Sequence, residues 1–227
     1  MKLIGIGGYA KAGKDAFVSI ARNILTKNSY SSLRLAFADE LKKDIDPFLK
    51  EKYGISAFTI DPKEKEIIRP FLVAHGCGKR LQTEGKYWID KVDKQIQNIL
   101  ERPSKDQYHS DHDVIFISDC RFKNESEWIH KKWNGHLIHI KRWKYEECRD
   151  GYGDSYQGRV YDKAPNDEEE KNDPIVQQTA DIKLEWQSQQ IPAGEDVTKN
   201  KYLQEIVLYA LNSVDVFKHK TNGILSL

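Results

Sequence analysis

The stretch that decides the fold is residues 2–15, which read KLIGIGGYAKAGKD. The short apolar run at its start, KLIGI, is typical of a buried strand that stops at a glycine-rich turn. Beyond the turn, apolar side chains recur at helical spacing, at Phe17, Ile20, Ala21, Ile24 and Leu25. The beginning of the chain therefore predicts a strand, a loop and a helix in succession.

The loop between this strand and helix fits the pattern G-x-x-x-x-G-K at Gly8, Gly13 and Lys14. Glycines let successive backbone N–H groups turn inward around phosphate oxygens, and the helix N-terminus adds positive potential. Lys14 would supply a mobile cation for the β and γ phosphates of ATP. The alternative is a glycine-rich turn without a ligand. The predicted ATP-binding residues are Gly8, Ala10, Lys11, Ala12, Gly13, Lys14 and Asp15.

Two aspartates are candidate ligands of Mg²⁺, the predicted cofactor with ATP. Asp15 stands where Ser or Thr normally follows the lysine, and its carboxylate could approach Mg²⁺ directly or through water. The alternative role for Asp15 is to stabilise the helix N-terminus. Asp119 ends the apolar run VIFISD, as a magnesium-holding acid does in P-loop enzymes. Beyond it, Arg121 and Lys123 could neutralise a transferring phosphoryl group or be ordinary surface charges.

The rest of the chain alternates strand and helix patterns. Further strands are predicted at residues 33–38, 114–117 and 136–140, with a final edge strand at 181–186. Helices are predicted between them, among others from Asp61 to about His75 and from 89 to 100, with a closing helix within 199–217. This alternation predicts an α/β fold with a parallel sheet flanked by helices, in which ligands bind at the carboxyl ends of the strands.

Residues 143–173 show no apolar periodicity and include the acidic run DEEEKND. Such long excursions are functional lids or disordered segments. The acidic run is most simply a solvated face. Arg149 and Arg159 within the excursion, and Arg142 just before it, are the candidate lid arginines, with solvated surface as the alternative for each. No linker is visible, so residues 1–227 are expected to form a single domain.

Composition excludes several other classes of protein. The 227 residues carry 36 Lys and Arg against 35 Asp and Glu, so no global field favours a stable nucleic-acid partner. Three widely spaced cysteines suggest neither a disulfide framework nor a zinc cluster. No segment approaches the roughly 20 apolar residues of a membrane span. We expect a cytoplasmic protein that does not associate with membranes, and the sequence leaves a homodimer open.

Four stretches together resemble one enzyme family more closely than the loop motif alone does. They are LIGIGGYAKAGKD, AFADELKK, RPFLVAHGCGKRLQTEGKYWIDKV and VIFISDCRFKNESEWIHKKWNGHLIHIKR, and a weaker match leads to TADIKLEW. In this order they resemble the deoxynucleoside monophosphate kinases of tailed phages, a branch of the P-loop nucleotide kinases. The resemblance implies a P-loop fold with a helical monophosphate-binding region at 39–102, and the lid-like excursion at 143–173 stands in place of the family's short lid. For a phage-encoded chain it also implies the host cytoplasm.

The activity that the resemblance implies is phosphoryl transfer from ATP to a (deoxy)nucleoside monophosphate. Lys14, Asp119 and Arg121 would then be catalytic, with the latter two flanking the transferred group. The acceptor pocket would include Asp39, Lys42, Arg69, Tyr87 and Trp88, although aromatic residues on a helix are more often core. Two departures stand out: Ala16 replaces the family's usual Thr, and the short His-x-Ser-Glu lid signature is absent.

Two other functions remain open at this point. The loop specifies the phosphate donor and not the acceptor, so the chain could phosphorylate another small phosphorylated or hydroxylated metabolite. It could also be a non-catalytic ATP-binding module that uses residues 143–173 as a partner-binding arm.

Overall fold

The computed structural model describes residues 1–101, 112–149, 151–152, 155–189 and 195–217. The chain divides into two compact units. The first, called here the sheet unit, comprises residues 1–34 and 112–227, and the second, the helical unit, comprises residues 35–111. Each is described by itself below.

The strands form one mainly parallel sheet. They are β1 (Lys2–Gly7), β2 (Ser32–Leu35), β3 (Val114–Cys120), β4 (His136–Arg149), β5 (Ser155–Tyr161) and β6 (Ile182–Gln187). Their order is β2-β3-β1-β4-β5, with β6 paired to β4. Pairs β1–β3, β1–β4 and β4–β6 are parallel, whereas β4–β5 is antiparallel. The predicted fold class, an α/β protein with a parallel sheet flanked by helices, is confirmed.

The helices of the described residues are α1 (Lys14–Lys27), α2 (Phe37–Tyr53), α3 (Pro62–Gln82), α4 (Tyr87–Leu100), α5 (Lys123–Trp133), α6 (Asp167–Thr179) and α7 (Lys201–Ser213). In the sheet unit, α1 and α7 pack together over one face of the sheet. Their apolar stripes, which include Phe17, Ile20, Val207 and Leu211, are fully buried there with Ile4 of β1. Burying each such side chain stabilises the fold by about 1.5–3 kcal/mol. The predicted closing helix is therefore present as α7.

Residues 143–161 are more regular than the sequence suggested. The first part of β4 pairs with β1 and β6, and its second part, Trp143–Arg149, pairs antiparallel with β5. The expectation of an irregular excursion was wrong, because this hairpin is built from exposed strands that need no apolar alternation. Whether residues 143–173 act as a lid stays a prediction.

The helical unit consists of α2, α3 and α4, which pack on one another. Asp61 caps α3 as predicted, since its carboxylate accepts from Lys63 N at 2.7 Å. The predicted end of α3 near His75 was wrong, because the helix continues through Gly76 and Gly78. A Cβ at Gly76 would lie 2.7 Å from Leu41 Cδ1, so the glycine permits close approach of α2 rather than ending the helix.

One smaller difference concerns the boundary of a strand. The strand predicted at 33–38 ends at Leu35, and residues 37 and 38 already belong to α2. The edge strand predicted at 181–186 is found as β6. Among the described residues, none of the helices is both long and apolar enough for a membrane span.

Candidate phosphate-binding site

The loop between β1 and α1 requires glycine at both ends of its pattern. Gly8 has φ +126° and Gly13 has φ +96°, in the region that side chains rarely adopt. A Cβ on Gly8 would lie 2.4 Å from the carbonyl oxygen of Ile140, and one on Gly13 would lie 2.5 Å from the Trp186 ring. The predicted ATP-binding residues 8–15 thus form one tight strand–loop–helix connection.

The Lys14 side chain points back towards the start of this loop. It is 8% exposed, and its Nζ donates to the carbonyl oxygens of Gly8 at 2.6 Å and Tyr9 at 2.7 Å. Burial lowers the pKa of Lys14, and the positive charge of Arg121 lowers it further. The carboxylates of Glu169, Asp119 and Asp15 act in the opposite direction. Lys14 therefore lies in a mixed cluster with the predicted partners Asp15, Asp119 and Arg121.

Trp186 of β6 contacts the loop between β1 and α1. Its indole N–H donates to the carbonyl oxygen of Ala12 at 2.9 Å, and its ring centroid lies 6.4 Å from that of Phe17. Because Trp186 is only 2% exposed, this hydrogen bond is shielded from water. No role was predicted for Trp186 from the sequence, although it is the last residue of the edge strand predicted at 181–186.

Glu169 is the second residue that the sequence analysis missed. Its Oε2 accepts from the backbone N–H of Ala10 at 2.7 Å, and its Oε1 accepts from Arg121 Nη1 at 2.8 Å. The side chain is 6% exposed although it belongs to the acidic run that was expected to be a solvated face. That expectation was wrong for Glu169 and Asp173, because both lie on the buried face of α6.

The helix α6 is anchored to the sheet beneath the loop. Asp173 Oδ1 lies 2.9 Å from His139 Nε2 on β4, and both residues are buried. One turn further, Val176 is fully buried, and its Cγ1 would be 3.0 Å from a Cβ on Gly7. The buried stripe of α6 therefore contains acids where an amphipathic pattern would have apolar residues, which is why its helix was not predicted.

Arg121 is held at its backbone as well as at its side chain. The N–H groups of Arg121 and Phe122 donate to Glu125 Oε2 at 2.7 and 3.1 Å, and Glu125 is 1% exposed. Glu125 lies in the first turn of α5 and thus caps that helix while fixing the chain just after β3. The Arg121 side chain remains 43% exposed, so its guanidinium can still meet an anion from solvent.

The two candidate magnesium ligands differ in their surroundings. The Asp15 side chain is 86% exposed and lies 3.8 Å from Arg34 Nη2, whereas Asp119 is the second-last residue of β3 and is half-buried. Within the described residues, no three His, Cys, Asp or Glu side chains are grouped to hold a metal ion. Mg²⁺ commonly takes one or two carboxylates and completes its shell with phosphate oxygens and water. Asp15 and Asp119 fit that requirement when a nucleotide supplies the remaining ligands.

The three candidate lid arginines occupy different places on the β4–β5 hairpin. Arg142 lines a small cavity of about 140 Å³ beside Tyr9 and Ala12 of the loop, and its Nε donates to Asp162 at 2.8 Å. Arg159 stacks on the Trp143 ring, 4.3 Å from the centroid. Arg149 ends β4, opposite Ser155. Of the three, only Arg142 lines the cavity beside the loop.

The predicted acceptor residues all belong to the helical unit. Asp39 lies in the first turn of α2, Lys42 Nζ lies 5.7 Å from the Phe58 ring centroid, and Arg69 is exposed on α3. Trp88 is 2% exposed, and its indole N–H donates to the Gly76 carbonyl oxygen at 3.2 Å. Its environment is that of a core residue, the alternative that the sequence left open.

Tyr87 belongs to a network around Asp44. The Asp44 carboxylate accepts from the Tyr87 hydroxyl at 3.0 Å and from Lys91 Nζ at 2.6 Å, and His75 Nε2 lies 2.9 Å away. Burial acts to raise the pKa of Asp44, but the hydrogen bonds from Lys91, His75 and Tyr87 outweigh it and lower the pKa to about 2. Asp44 thus joins all three helices of this unit.

Comparisons with known proteins add little to this geometry. No protein-family model matches the chain, and no curated protein does either. The chain is similar to the crystal structure of shikimate kinase from Aquifex aeolicus, at 15% identity and a TM-score of 0.37 over 93% of this chain and 95% of that one. The sheet, its helices and the loop between β1 and α1 define an α/β protein with a glycine-containing strand–loop–helix connection. The resemblance to the tailed-phage kinases stays a prediction.

Proposed function

We propose that this protein is an ATP-dependent phosphotransferase that transfers the γ-phosphoryl group to a (deoxy)nucleoside monophosphate, giving ADP and the diphosphate. The observation that carries the proposal is the arrangement around Lys14. A glycine-required loop, a buried lysine and a solvent-accessible Arg121 fixed by two glutamates lie together at the end of a parallel sheet. Such a combination of loop and cations matches the needs of phosphoryl transfer, which is mainly positioning and charge neutralisation.

In this mechanism the loop N–H groups and Lys14 bind the donor phosphates at the N-terminus of α1. Bound Mg²⁺ would supply charge neutralisation to the phosphates, with Asp15 and Asp119 as its protein ligands. Arg121 would stabilise negative charge on the transferring group. A monophosphate acceptor attacks through an oxygen that is already anionic, so the chain needs no strong base to remove a proton.

We further propose that the helical unit supplies the acceptor-binding residues, with Asp39, Lys42 and Arg69 as the polar contacts and Tyr87 as part of the pocket wall. The family resemblance supports this assignment. Its structural support is that Lys42 and Arg69 add cations, suited to a phosphate, to a unit that carries no part of the phosphate loop.

The experiment that tests the function is an acceptor panel. Purified protein with ATP and Mg²⁺ is incubated with each ribonucleoside and deoxyribonucleoside monophosphate, and ADP and diphosphates are separated by chromatography. We expect diphosphate formation from at least one acceptor, in equal amount to ADP. ADP release without any diphosphate would overturn the proposal and favour a slow ATPase module. Turnover only with a non-nucleotide metabolite would leave the kinase class standing and reject the acceptor.

A further inference from the structure

We infer that Glu169 is a positioning residue, which holds the Arg121 guanidinium and the Ala10 end of the phosphate loop in the arrangement that phosphoryl transfer requires. The inference deepens the proposed function and rests on it, because Arg121 is the group that would meet the transferring phosphoryl. Glu169 would act through Arg121 and the loop without contacting the reacting atoms itself.

The first argument is that one carboxylate joins two separate parts of the site. Oε2 accepts from Ala10 N at 2.7 Å, within the loop after β1, and Oε1 accepts from Arg121 Nη1 at 2.8 Å, just after β3. Hydrogen bonds to a charged group are roughly twice as strong as neutral ones and hold their partners at short distance. Glu169 therefore couples the position of the arginine to that of the loop.

The second argument is that Glu169 is itself held in place. Its side chain is 6% exposed, and its backbone N–H donates to the Asn166 cap of α6 at 2.9 Å. One turn later the buried Asp173–His139 contact fixes α6 to β4. Because α6 is firmly packed, the Glu169 carboxylate is held in one position and can restrain the side chain of Arg121.

The third argument concerns what remains available on Arg121. The guanidinium has five N–H donors in a rigid plane, and the contact with Glu169 uses Nη1. The backbone N–H of Arg121 is meanwhile held by Glu125. Restraining both ends of the residue reduces the rotamer entropy lost when the remaining donors engage a phosphate.

The competing interpretation is that Glu169 merely occupies a place meant for phosphate. It does accept from a loop N–H, and a carboxylate there would repel a nucleotide. In that case, removing its charge would tighten ATP binding and leave the chemical step unchanged. The positioning role instead predicts a slower chemical step and ATP binding that is not tightened, so the two interpretations are separable.

The test compares Glu169→Gln with wild type, Arg121→Ala and the double variant. Glutamine preserves the size of the side chain but replaces one oxygen by an NH₂ donor, so it cannot reproduce both contacts, which use separate carboxylate oxygens. Glu168→Gln is the matched control, because Glu168 is the exposed neighbour in the same helix. Thermal unfolding of each variant shows whether it is folded, and steady-state kinetics give kcat and the KM for ATP separately.

We expect Glu169→Gln to lower kcat by about tenfold to a hundredfold with little change in the KM for ATP, as loss of a positioned transition-state cation does. In the Arg121→Ala background the same change should have a smaller further effect, because only the contact with Ala10 N is left to lose. An equal fall in both backgrounds, unchanged kcat, or tighter ATP binding would each overturn the inference.

A second measurement keeps the inference separable from the proposed function. In NMR spectra of the arginine side chains, the Arg121 guanidinium should be restricted in wild type and in Glu168→Gln, and released in Glu169→Gln. An identical Arg121 signal in Glu169→Gln overturns the inference whether or not any acceptor is phosphorylated. If Glu169→Gln releases the Arg121 guanidinium but the wild type phosphorylates no acceptor, the result would support the geometry while rejecting the function.

Discussion

Lys14 shows how one residue can be both structural and functional. Its ammonium donates to two loop carbonyl oxygens, and its burial lowers its pKa. A nucleotide phosphate would bring an anion to the same charge, in a site shielded from water where electrostatic interactions are stronger than at the surface. The same buried ammonium can therefore stabilise the loop and bind an anion.

For Lys14→Ala we expect kcat/KM for ATP to fall by at least about a hundredfold, because a positioned cation is lost where charge develops. Steady-state kinetics with the best acceptor measure this, and Lys27→Ala, an exposed lysine in the last turn of the same helix, is the control. Turnover of Lys14→Ala within threefold of wild type would contradict the role, provided that both variants unfold at similar temperatures.

Asp39 is the residue on which the acceptor proposal can be tested most directly. For Asp39→Ala we expect an altered ranking of acceptors in the panel and a KM for ATP that stays near that of wild type, since its unit carries no part of the phosphate loop. Glu51→Gln, an exposed acid at the end of the same helix, controls for lost charge. An acceptor ranking identical to that of wild type would remove Asp39 from the pocket.

At the scale of elements, the loop depends on strands and helices far from it in sequence. Trp186 of β6 donates to Ala12, Glu169 of α6 accepts from Ala10, and Ile140 of β4 excludes a side chain at Gly8. The loop conformation is thus enforced by three elements that follow it by more than 120 residues. Changes in those elements should therefore affect the function of the loop without altering any of its own residues.

Trp186→Phe isolates one of these supports. Phenylalanine retains most of the apolar packing but cannot donate to the Ala12 carbonyl oxygen, which would be left without this buried donor. We expect a loss of about 1–3 kcal/mol in the free energy of unfolding, measured by denaturant titration, and weaker ATP binding by calorimetry. Trp133→Phe, the same change on α5, is the control, and ATP affinity equal to wild type in Trp186→Phe would contradict the supporting role.

At the scale of the whole molecule, the two units are stabilised differently. The sheet unit buries a large apolar core between the sheet and the pair α1 and α7. The helical unit has a small apolar core around Ile45, Leu49, Ala57 and Ile68, supplemented by the Asp44 network. A unit that relies on a charged network should respond to pH more strongly than one that relies on apolar burial.

The Asp44 network predicts a specific acid dependence. Because the pKa of Asp44 is lowered to about 2 in the folded state, its stabilisation is complete above the ordinary aspartate pKa and is lost as the pH falls through about 2. Asp44→Asn should therefore be less stable than wild type by about 1–2 kcal/mol near neutral pH, with the difference shrinking towards pH 2. Denaturant titrations followed by circular dichroism measure the difference, and one that is constant with pH would contradict the assignment.

Sequence patterns alone predicted much of this architecture. The run from Lys2 to Asp15 predicted β1, the loop and α1, and the apolar run before Asp119 predicted β3. These predictions succeeded because apolar periodicity and glycine placement are local properties that the chain shows directly. The start of α3 at Asp61 and Pro62 was predicted correctly for the same reason. The helix α6 and the hairpin β4–β5 were missed because their faces do not show apolar alternation.

The sequence by itself determined that a phosphate-type loop opens an α/β fold, since glycines, lysine and flanking periodicity are all contiguous. Only the tertiary structure decided which distant groups complete that loop. Glu169 lies 159 positions from its partner Ala10, and Trp186 lies 174 from Ala12. An acidic run by itself predicts a solvated surface. Only the packing of α6 determines which of its carboxylates is buried against the loop. Burial and pairing arise from the folded chain as a whole, so no local pattern could have singled out Glu169 among its neighbours.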